Sequence, residues 1–528
     1  GMGVDSLTEQ FGIRSLEFSP EFGFKLNGKK IFLQGNANHH DLGALGATCY
    51  DKAIERMMLQ LKSFGYNCIR CSHNPYSDSF ARIADRVGIL VVDELTDKWS
   101  DNDYWGGRQP FTHIWHKLIT EWIKRDRNRP SIILWSLGNE LQIREGWAGF
   151  EGTNDWGITT YNIFNQLVKR WDHTRLTTVA MFPARAGAIT RHDKEFNDYL
   201  VPPELACATE VASFNYQSDK YDAYLKYRPD LILFQSEAET SNLLQPYYNM
   251  DKERMVGIAY WGSVEYWGES NKWPKKGWNY SFFEHTMRPY PQAYLIKTAF
   301  MPEIPEVHIG VVDAAGAESV SWNDVIVGRM ALNECWNHTP GSRRSLFTFT
   351  NAHSVELLVN GQSMGIQKND TTRANLRNMI YWKDVPYGNG GSVVAIARDK
   401  SGKEVARHRI ETAGKAVALR IEAETPTDWK ADGMDLQYIN VTVIDKKGRP
   451  VWDYNEPLTL QMEGAARLVA LDNGDHYTDE LFHGITSKRM YQGRMQIILR
   501  SDQEAGNVTV KISSAGLKGT LRLKTIKE

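Results

Sequence analysis

SIILWSLGNE, residues 131–140, is a run of apolar and β-favouring residues that leads directly into Asn139 and Glu140. LILFQSE, residues 231–237, repeats the design and ends in Glu237. Each reads as a short buried strand that delivers an acid at its C-terminal end. That is how a parallel barrel builds its working rim.

Working outward from these two runs, residues 28–303 alternate strand-like and amphipathic text. Strands are expected at Ile31–Gln34, Asn67–Cys71, Ile89–Val92, Ser131–Ser136, Leu176–Ala180, Glu210–Phe214, Leu231–Gln235 and Val256–Trp261. Helical periodicity fills most of the gaps. Asp51 opens a helix with Ile54, Met57, Met58, Leu61 and Phe64 on one face, stopped by Gly65. Ser77 caps a second that carries Phe80, Ile83, Ala84 and Val87 inward, stopped by Gly88. Ile114 to Ile123 marks a longer third, ended before Pro130, and Tyr161 to Trp171 a fourth. An eight-fold alternation of this length predicts a (β/α)8 barrel. An open doubly wound sheet usually advertises a Gly-rich phosphate turn after its first strand, and none is present.

Beyond about residue 305 the pattern changes. Val355, Leu357 and Val359 alternate up to the turn pair Asn360-Gly361. Ile439, Val441 and Val443 do the same before Lys447-Gly448, as do Val508, Val510 and Ile512. Sheets with one buried face follow, and two all-β immunoglobulin-like sandwich domains fit the length. The expected organisation is a lead-in over 1–27, a barrel over 28–303, and sandwiches over 304–413 and 414–528.

At 528 residues, several domains are required rather than one core. A formal net charge of −2 gives no global field for nucleic acid or an anionic membrane. No run approaches the ~18 apolar residues of a membrane span. No signal-peptide pattern precedes the barrel, which leaves a periplasmic or cytoplasmic place in a bacterium undecided. The five cysteines are odd in number and scattered, and Cys68 and Cys71 lack the second pair that a zinc site needs, so free thiols are expected. Aromatic loops such as DNDYWGG and EGWAGF offer ring faces on which sugars stack, though core packing accounts for any single one at least as well.

Polar or aromatic groups follow seven of the eight expected strands. His39, His40 and Asp41 follow the first; Arg70, His73 and Asn74 the second; Asp93 and Glu94 the third. Asn139 and Glu140 follow the fourth, Asn215 and Tyr216 the sixth, Glu237 the seventh, and Trp261 the eighth. Gathered on one rim, two carboxylates of this kind suit the cleavage of a glycosidic bond. One protonates the leaving oxygen while the other attacks the sugar carbon.

The chain resembles glycoside hydrolase family two, the family of bacterial β-galactosidases and β-glucuronidases. The segments that carry the likeness are FGIR (11–14), LQGNANHHDLGALGA (33–47), IRCSHNP (69–75), VVDE (91–94), RDRNRPSIILWSLGNE (125–140), SFNY (213–216), SE (236–237) and AYWGSVEYWGE (259–269). The resemblance implies that Glu140 is the general acid/base and Glu237 the nucleophile. It implies that Asn139 bonds the sugar 2-hydroxyl, Tyr216 holds the nucleophile, His39 and His73 grip hydroxyls, and Trp261 floors the pocket. Arg70, Asp41, Asp93 and Asn215 are expected to support them. No cofactor and no metal are implied. The expected partner is a glycoside or oligosaccharide, and a homo-oligomer stays open.

Some alternatives remain at this level. Glu239 competes with Glu237, and His40 reads as structural as readily as ligand-binding. Family glucuronidases carry an Asn-Xaa-Lys triplet for the sugar carboxylate, and the matching stretch is Asn279-Tyr280-Ser281. The missing lysine favours a neutral β-galactoside over a β-glucuronide or β-mannoside. Glu265 stands where an Asp is commoner. The opening segment looks like the end of an immunoglobulin-like domain that precedes the barrel in relatives, so reduced activity, or a carbohydrate-binding scaffold without turnover, is the remaining alternative.

Overall fold

Eight short parallel strands close into a barrel in the computed structural model. It describes residues 6, 8–99, 111–141, 155, 157–182, 202–270, 272–313, 318–322 and 325–527. The aromatic loops DNDYWGG and EGWAGF lie outside these residues. The barrel strands are β1 (Leu33–Asn38), β2 (Cys68–Cys71), β3 (Leu90–Glu94), β4 (Ile132–Asn139), β5 (Leu176–Met181), β6 (Val211–Asn215), β7 (Leu233–Ala238) and β8 (Gly257–Trp261). Their hydrogen-bonded order is β7-β8-β1-β2-β3-β4-β5-β6. This is the (β/α)8 arrangement that the alternation predicts.

The boundaries differ in one systematic way. Apolar content places the first strand at Ile31–Gln34, whereas β1 runs through Gly35, Asn36, Ala37 and Asn38. Its neighbours β8 and β2 supply backbone partners whatever the side chains are. β3, β4, β6 and β7 also extend past their apolar text, so Glu94, Asn139, Asn215 and Glu237 are strand residues. A residue on a paired strand is held more firmly than one on the following loop. At Gly257 the strands β8 and β1 pass so closely that a Cβ would lie 2.4 Å from the Leu33 carbonyl oxygen.

The chain divides into two compact units. The first, residues 1–40, 66–239 and 246–261, holds all eight barrel strands and a three-stranded antiparallel sheet of Leu16–Ser19, Gly23–Leu26 and Lys29–Lys30. The second, residues 41–65, 240–245 and 262–528, begins with helix α1 (Asp51–Ser63). In the first unit, Ser77 caps α2 (Asp78–Val87) by accepting from Phe80 N at 3.2 Å, and Gly88 closes it at φ 76°. Helices α3 (Phe111–Asp126) and α4 (Ile158–Trp171) bury Ile119, Trp122, Ile123, Tyr161, Phe164 and Val168, the faces that the periodicity marks. No helix among the described residues is long and apolar enough to cross a membrane.

In the second unit, the strands after Val307 form two sandwiches, each with its own core. The first pairs a sheet built around Val307–Val312, Arg343–Thr350 and Met379–Pro386 with one of Ser354–Val359, Gln362–Lys368, Ser392–Arg398 and Glu404–Glu411. Ile309, Trp336, Leu357, Trp382 and Ala395 fill the space between. The second runs from Ala418 to Lys524 around Trp429, Val441, Leu458, Ile497 and Val510. Asn360 and Gly361 both have positive φ, 51° and 82°, the turn that twists two strands into a hairpin. The five cysteines are free thiols.

Candidate active site

Arg70, at the C-terminal end of β2, is wholly buried and organises the barrel mouth. Its Nη1 donates to Glu237 Oε1 at 2.7 Å. Its Nε and Nη2 donate to Glu94 Oε2 at 3.1 and 2.7 Å, and Nη2 also reaches Asn139 Oδ1 at 3.0 Å. Burial works against the guanidinium charge, but Glu94 and Glu237 outweigh it and hold the group more firmly protonated than usual. Ser136 Oγ donates to Glu94 Oε2 at 2.6 Å, and His73 Nδ1 to Glu94 Oε1 at 2.6 Å. Glu94 is buried too, yet these donors keep its carboxyl below the usual range.

A chain of hydrogen bonds connects the two acids. Asn215 Nδ2, on β6, donates to Glu140 Oε1 at 3.1 Å and to Asn139 Oδ1 at 3.0 Å. Ser236 Oγ fixes the Asn215 amide by donating to Oδ1 at 2.7 Å. From Asn139 the chain continues through Arg70 to Glu237. Tyr216 Oη donates to the other Glu237 oxygen, Oε2, at 2.7 Å. Both ends carry backbone strain: Glu140 and Tyr216 sit at φ 48° and 59°, in the left-handed region that glycine prefers. Glu140 N donates to Ala180 O at 2.7 Å and Tyr216 N to Glu237 O at 2.8 Å, which locks those conformations.

The two acids have unequal surroundings. Glu140 is 5% exposed. Burial, and then the negative charge of Glu237, lift its pKa to about 7 against the opposing pull of Lys98. Glu237 instead receives a guanidinium on one oxygen and a phenol on the other. One acid is therefore ready to hold a proton near neutrality, and the other is surrounded by donors.

Trp261, from β8, lies stacked on His73 with centroids 5.2 Å apart and planes 4° from parallel. His39 meets both rings edge-on, at 5.0 Å from Trp261 and 5.6 Å from His73. His39 Nδ1 donates to Ser72 O at 3.2 Å. Three residues at or just past the ends of β1, β2 and β8 thus form one aromatic wall. His40 packs on Tyr76 instead, centroids 4.6 Å apart.

Two expected supporting residues are placed otherwise. Asp93 does not hold Arg70. Neighbours on a strand point to opposite faces, so Glu94 faces the barrel interior while Asp93 Oδ2 accepts from Trp122 Nε1 of α3 at 2.6 Å. Asp41 belongs to the second unit, where its oxygens accept from Gly43 N at 2.8 Å and Trp267 N at 3.2 Å. Its bonds shape a loop. Three participants escaped the sequence reading. Asp97 Oδ1 accepts from Asn139 Nδ2 at 3.1 Å, Lys98 Nζ donates to Asn139 O at 3.1 Å and to Asp97 at 2.6 Å, and Ser236 orients Asn215. Asp97 and Lys98 follow β3 by three and four residues, so the same strand-end rule, carried further along the loop, finds them.

Comparison with known proteins places this geometry in context. The family model described as Glycosyl hydrolases family 2, TIM barrel domain, matches residues 21–254, and Glycoside hydrolase family 2 C-terminal domain 5 matches residues 419–521. A domain of unknown function matches residues 341–406. The β-galactosidase BoGH2A of Bacteroides ovatus is 27% identical over 98% of this chain and 64% of its own length. A putative β-glucuronidase of Formosa agariphila is 43% identical over 99% of this chain and 51% of its own. The crystal structure of a glycosyl hydrolase family 2 member from Bacteroides cellulosilyticus superposes with TM-score 0.86 at 28% identity, covering 98% of this chain and 65% of that one. The chain thus spans between about half and two thirds of the length of these relatives.

Proposed function

We propose that this chain, which belongs to glycoside hydrolase family 2, cleaves β-glycosides with retention of configuration. Glu237 is the nucleophile and Glu140 the acid/base. The observation that carries the reading is the unequal environment of the two acids: burial and a neighbouring charge raise Glu140 to about 7, while Arg70 and Tyr216 hold the two oxygens of Glu237.

In the first step Glu237 forms a bond to the anomeric carbon as the glycosidic oxygen leaves with the proton of Glu140. Charge on Glu237 is consumed, and with it the largest of the charges that raise Glu140. Glu140 then takes a proton from water, the water oxygen attacks the same carbon, and Glu237 is released. Asn139 offers its amide to the sugar 2-hydroxyl, which takes the place of the long 3.3 Å contact with His73 Nε2. The wall of His39, His73 and Trp261 receives the ring and its hydroxyls.

A neutral sugar, and galactose first, is the better-supported substrate. Arg70 is committed to Glu94 and Glu237, and Lys98 to Asp97 and a backbone carbonyl. Neither cation is left to neutralise a uronic acid. Ser281, where the lysine of a glucuronidase triplet is expected, is wholly buried. The relatives carry both β-galactosidase and β-glucuronidase names, so the sugar is decided by turnover of nitrophenyl β-galactoside, β-glucuronide and β-mannoside, with the first-formed anomer read by proton NMR. Fastest turnover of the galactoside with a β-anomer first supports the proposal. An α-anomer first contradicts retention, and binding without turnover of any of the three leaves a scaffold.

A further inference from the structure

We propose that Glu265, His285 and His476, in the second unit, form a binding site for a divalent transition-metal ion such as Zn²⁺. The three come from distant parts of the sequence: a turn after β8, an irregular stretch 20 residues later, and a loop of the second sandwich. All three are buried, Glu265 to 1%, His285 to 4% and His476 to 4% exposure. Their candidate donor atoms all lie within 4.8 Å of one another. Glu265 Oε2 is 3.1 Å from His285 Nδ1 and 2.9 Å from His476 Nε2. Ligands at ~2.0–2.1 Å around a tetrahedral zinc ion stand ~3.3 Å from one another, so the two Glu265–histidine pairs need to spread by only a few tenths of an ångström.

Two further observations favour an ion over a simple hydrogen-bonded cluster. First, Nδ1 of His476 has no partner among the described residues, and Nε2 has only the 2.9 Å ion-pair contact with Glu265 Oε2. A buried polar ring in that state calls for a missing partner, and coordination of Nε2 supplies one. Second, the far nitrogen of His285, Nε2, lies 2.9 Å from Asp472 Oδ1. A carboxylate on the outer nitrogen is the partner that orients a metal-binding imidazole, and the 3.1 Å hydrogen bond from Nδ1 to Glu265 Oε2 is the contact that coordination replaces. The remaining Glu265 oxygen is held as well, by Tyr290 Oη at 2.6 Å.

The surroundings complete the site. Trp267 packs against both imidazoles, with centroids 4.6 Å from His285 and 4.9 Å from His476, and Phe482 lies beyond it. This gives an apolar flank. On another side, Glu265 and His476 line a cavity of about 210 Å³. Asn279, 2% exposed and with its Oδ1 unbonded, lines the same cavity. A fourth position, open to water or a small oxygen ligand, is therefore available. A second cluster, His308, Glu334 and His408, fits less well. Its two imidazoles stack face to face at 4.0 Å, and nearly parallel rings offer no near point that lies in both planes.

The test uses the full chain, stripped with a chelator and dialysed against Zn²⁺, with metal counted by mass spectrometry and Co²⁺ substitution read by visible absorption. The expected result is about one Zn²⁺ per chain and the intense absorption of tetrahedral cobalt. His476→Ala should weaken Zn²⁺ binding at least about tenfold, Asp472→Asn about ten- to a hundredfold, and His408→Ala not at all. His285→Ala should abolish it, with folding checked by circular dichroism. If that variant does not fold, His476→Ala and Asp472→Asn decide. Less than about a tenth of an equivalent bound to the wild type overturns the proposal. So does undiminished binding in His476→Ala, or binding lost only in His408→Ala. None of these readouts depends on glycoside turnover.

Discussion

Arg70 Nη1 and Glu237 Oε1 lie 2.7 Å apart in a pocket where Arg70 is wholly buried and Glu237 only 3% exposed. The guanidinium also serves Glu94 and Asn139, so it touches three of the site's components at once. Replacement by Met leaves two buried carboxylates without their cation. Arg70→Met is expected to lower stability by about 3–5 kcal/mol at neutral pH and kcat by roughly a hundredfold or more. Arg70→Lys keeps the charge but loses the forked geometry, and it should recover most of the stability and little of the rate. Denaturant midpoints and steady-state kinetics check both.

The raised value of Glu140 sets a pH dependence. As the proposed acid, Glu140 must be protonated to release the leaving group, so kcat/KM should fall above pH about 7. Lys98 opposes the upward shift, so Lys98→Met should move that limb to higher pH. A merely structural loss would lower the whole profile without moving it. Stability follows the same group with a fixed sign. The folded-state value is raised from 4.5 to about 7, so wild type loses stability as pH rises through that interval. Glu140→Gln should escape the loss, a gain on the order of 3 kcal/mol above pH 7.

Tyr216 donates to the Glu237 oxygen that Arg70 does not hold. Tyr216→Phe removes one hydrogen bond to a charged acceptor, worth about 1.5–3 kcal/mol. A fall in kcat of about 10- to 100-fold is expected, with KM changed much less because the phenol acts on the proposed nucleophile. Separate kcat and KM values from a nitrophenyl substrate check the split.

Asp93 gives the opposite expectation. Burial and then Asp126 push its carboxyl well above the usual range, and its bond to Trp122 Nε1 directs it toward α3. Asp93→Asn should leave kcat/KM within about threefold. Because the wild-type group is destabilised in its charged form, the variant should melt higher than wild type at pH 8, with the gap narrowing toward pH 4. Thermal melts at the two pH values measure it.

Much of this site was legible because barrel physics concentrates function where strands end. The apolar runs at 131–137 and 231–235 located Glu140 and Glu237 before any geometry was known. Apolar text could not show which of two adjacent acids faces inward. Asp93 and Glu94 differ only in strand parity, and parity depends on where pairing begins, which polar strand ends such as Gly35–Asn38 conceal. Nor could it reveal a partner 187 residues away. His285 and Asp472 meet only because the second sandwich folds within the same unit as the turns that follow β8. The lone histidine in DNGDHYTDE carries no local signal of that meeting.

The central claim is that Glu140 and Glu237 serve one anomeric carbon from opposite faces. The most direct measurement is the turnover of a nitrophenyl β-galactoside by Glu140→Ala with and without azide. Nitrophenolate needs no acid to leave, so the variant should stall as the glycosyl-enzyme and be restored by azide, yielding the β-glycosyl azide. Wild-type turnover without azide, an α-azide, or no response to azide would contradict it.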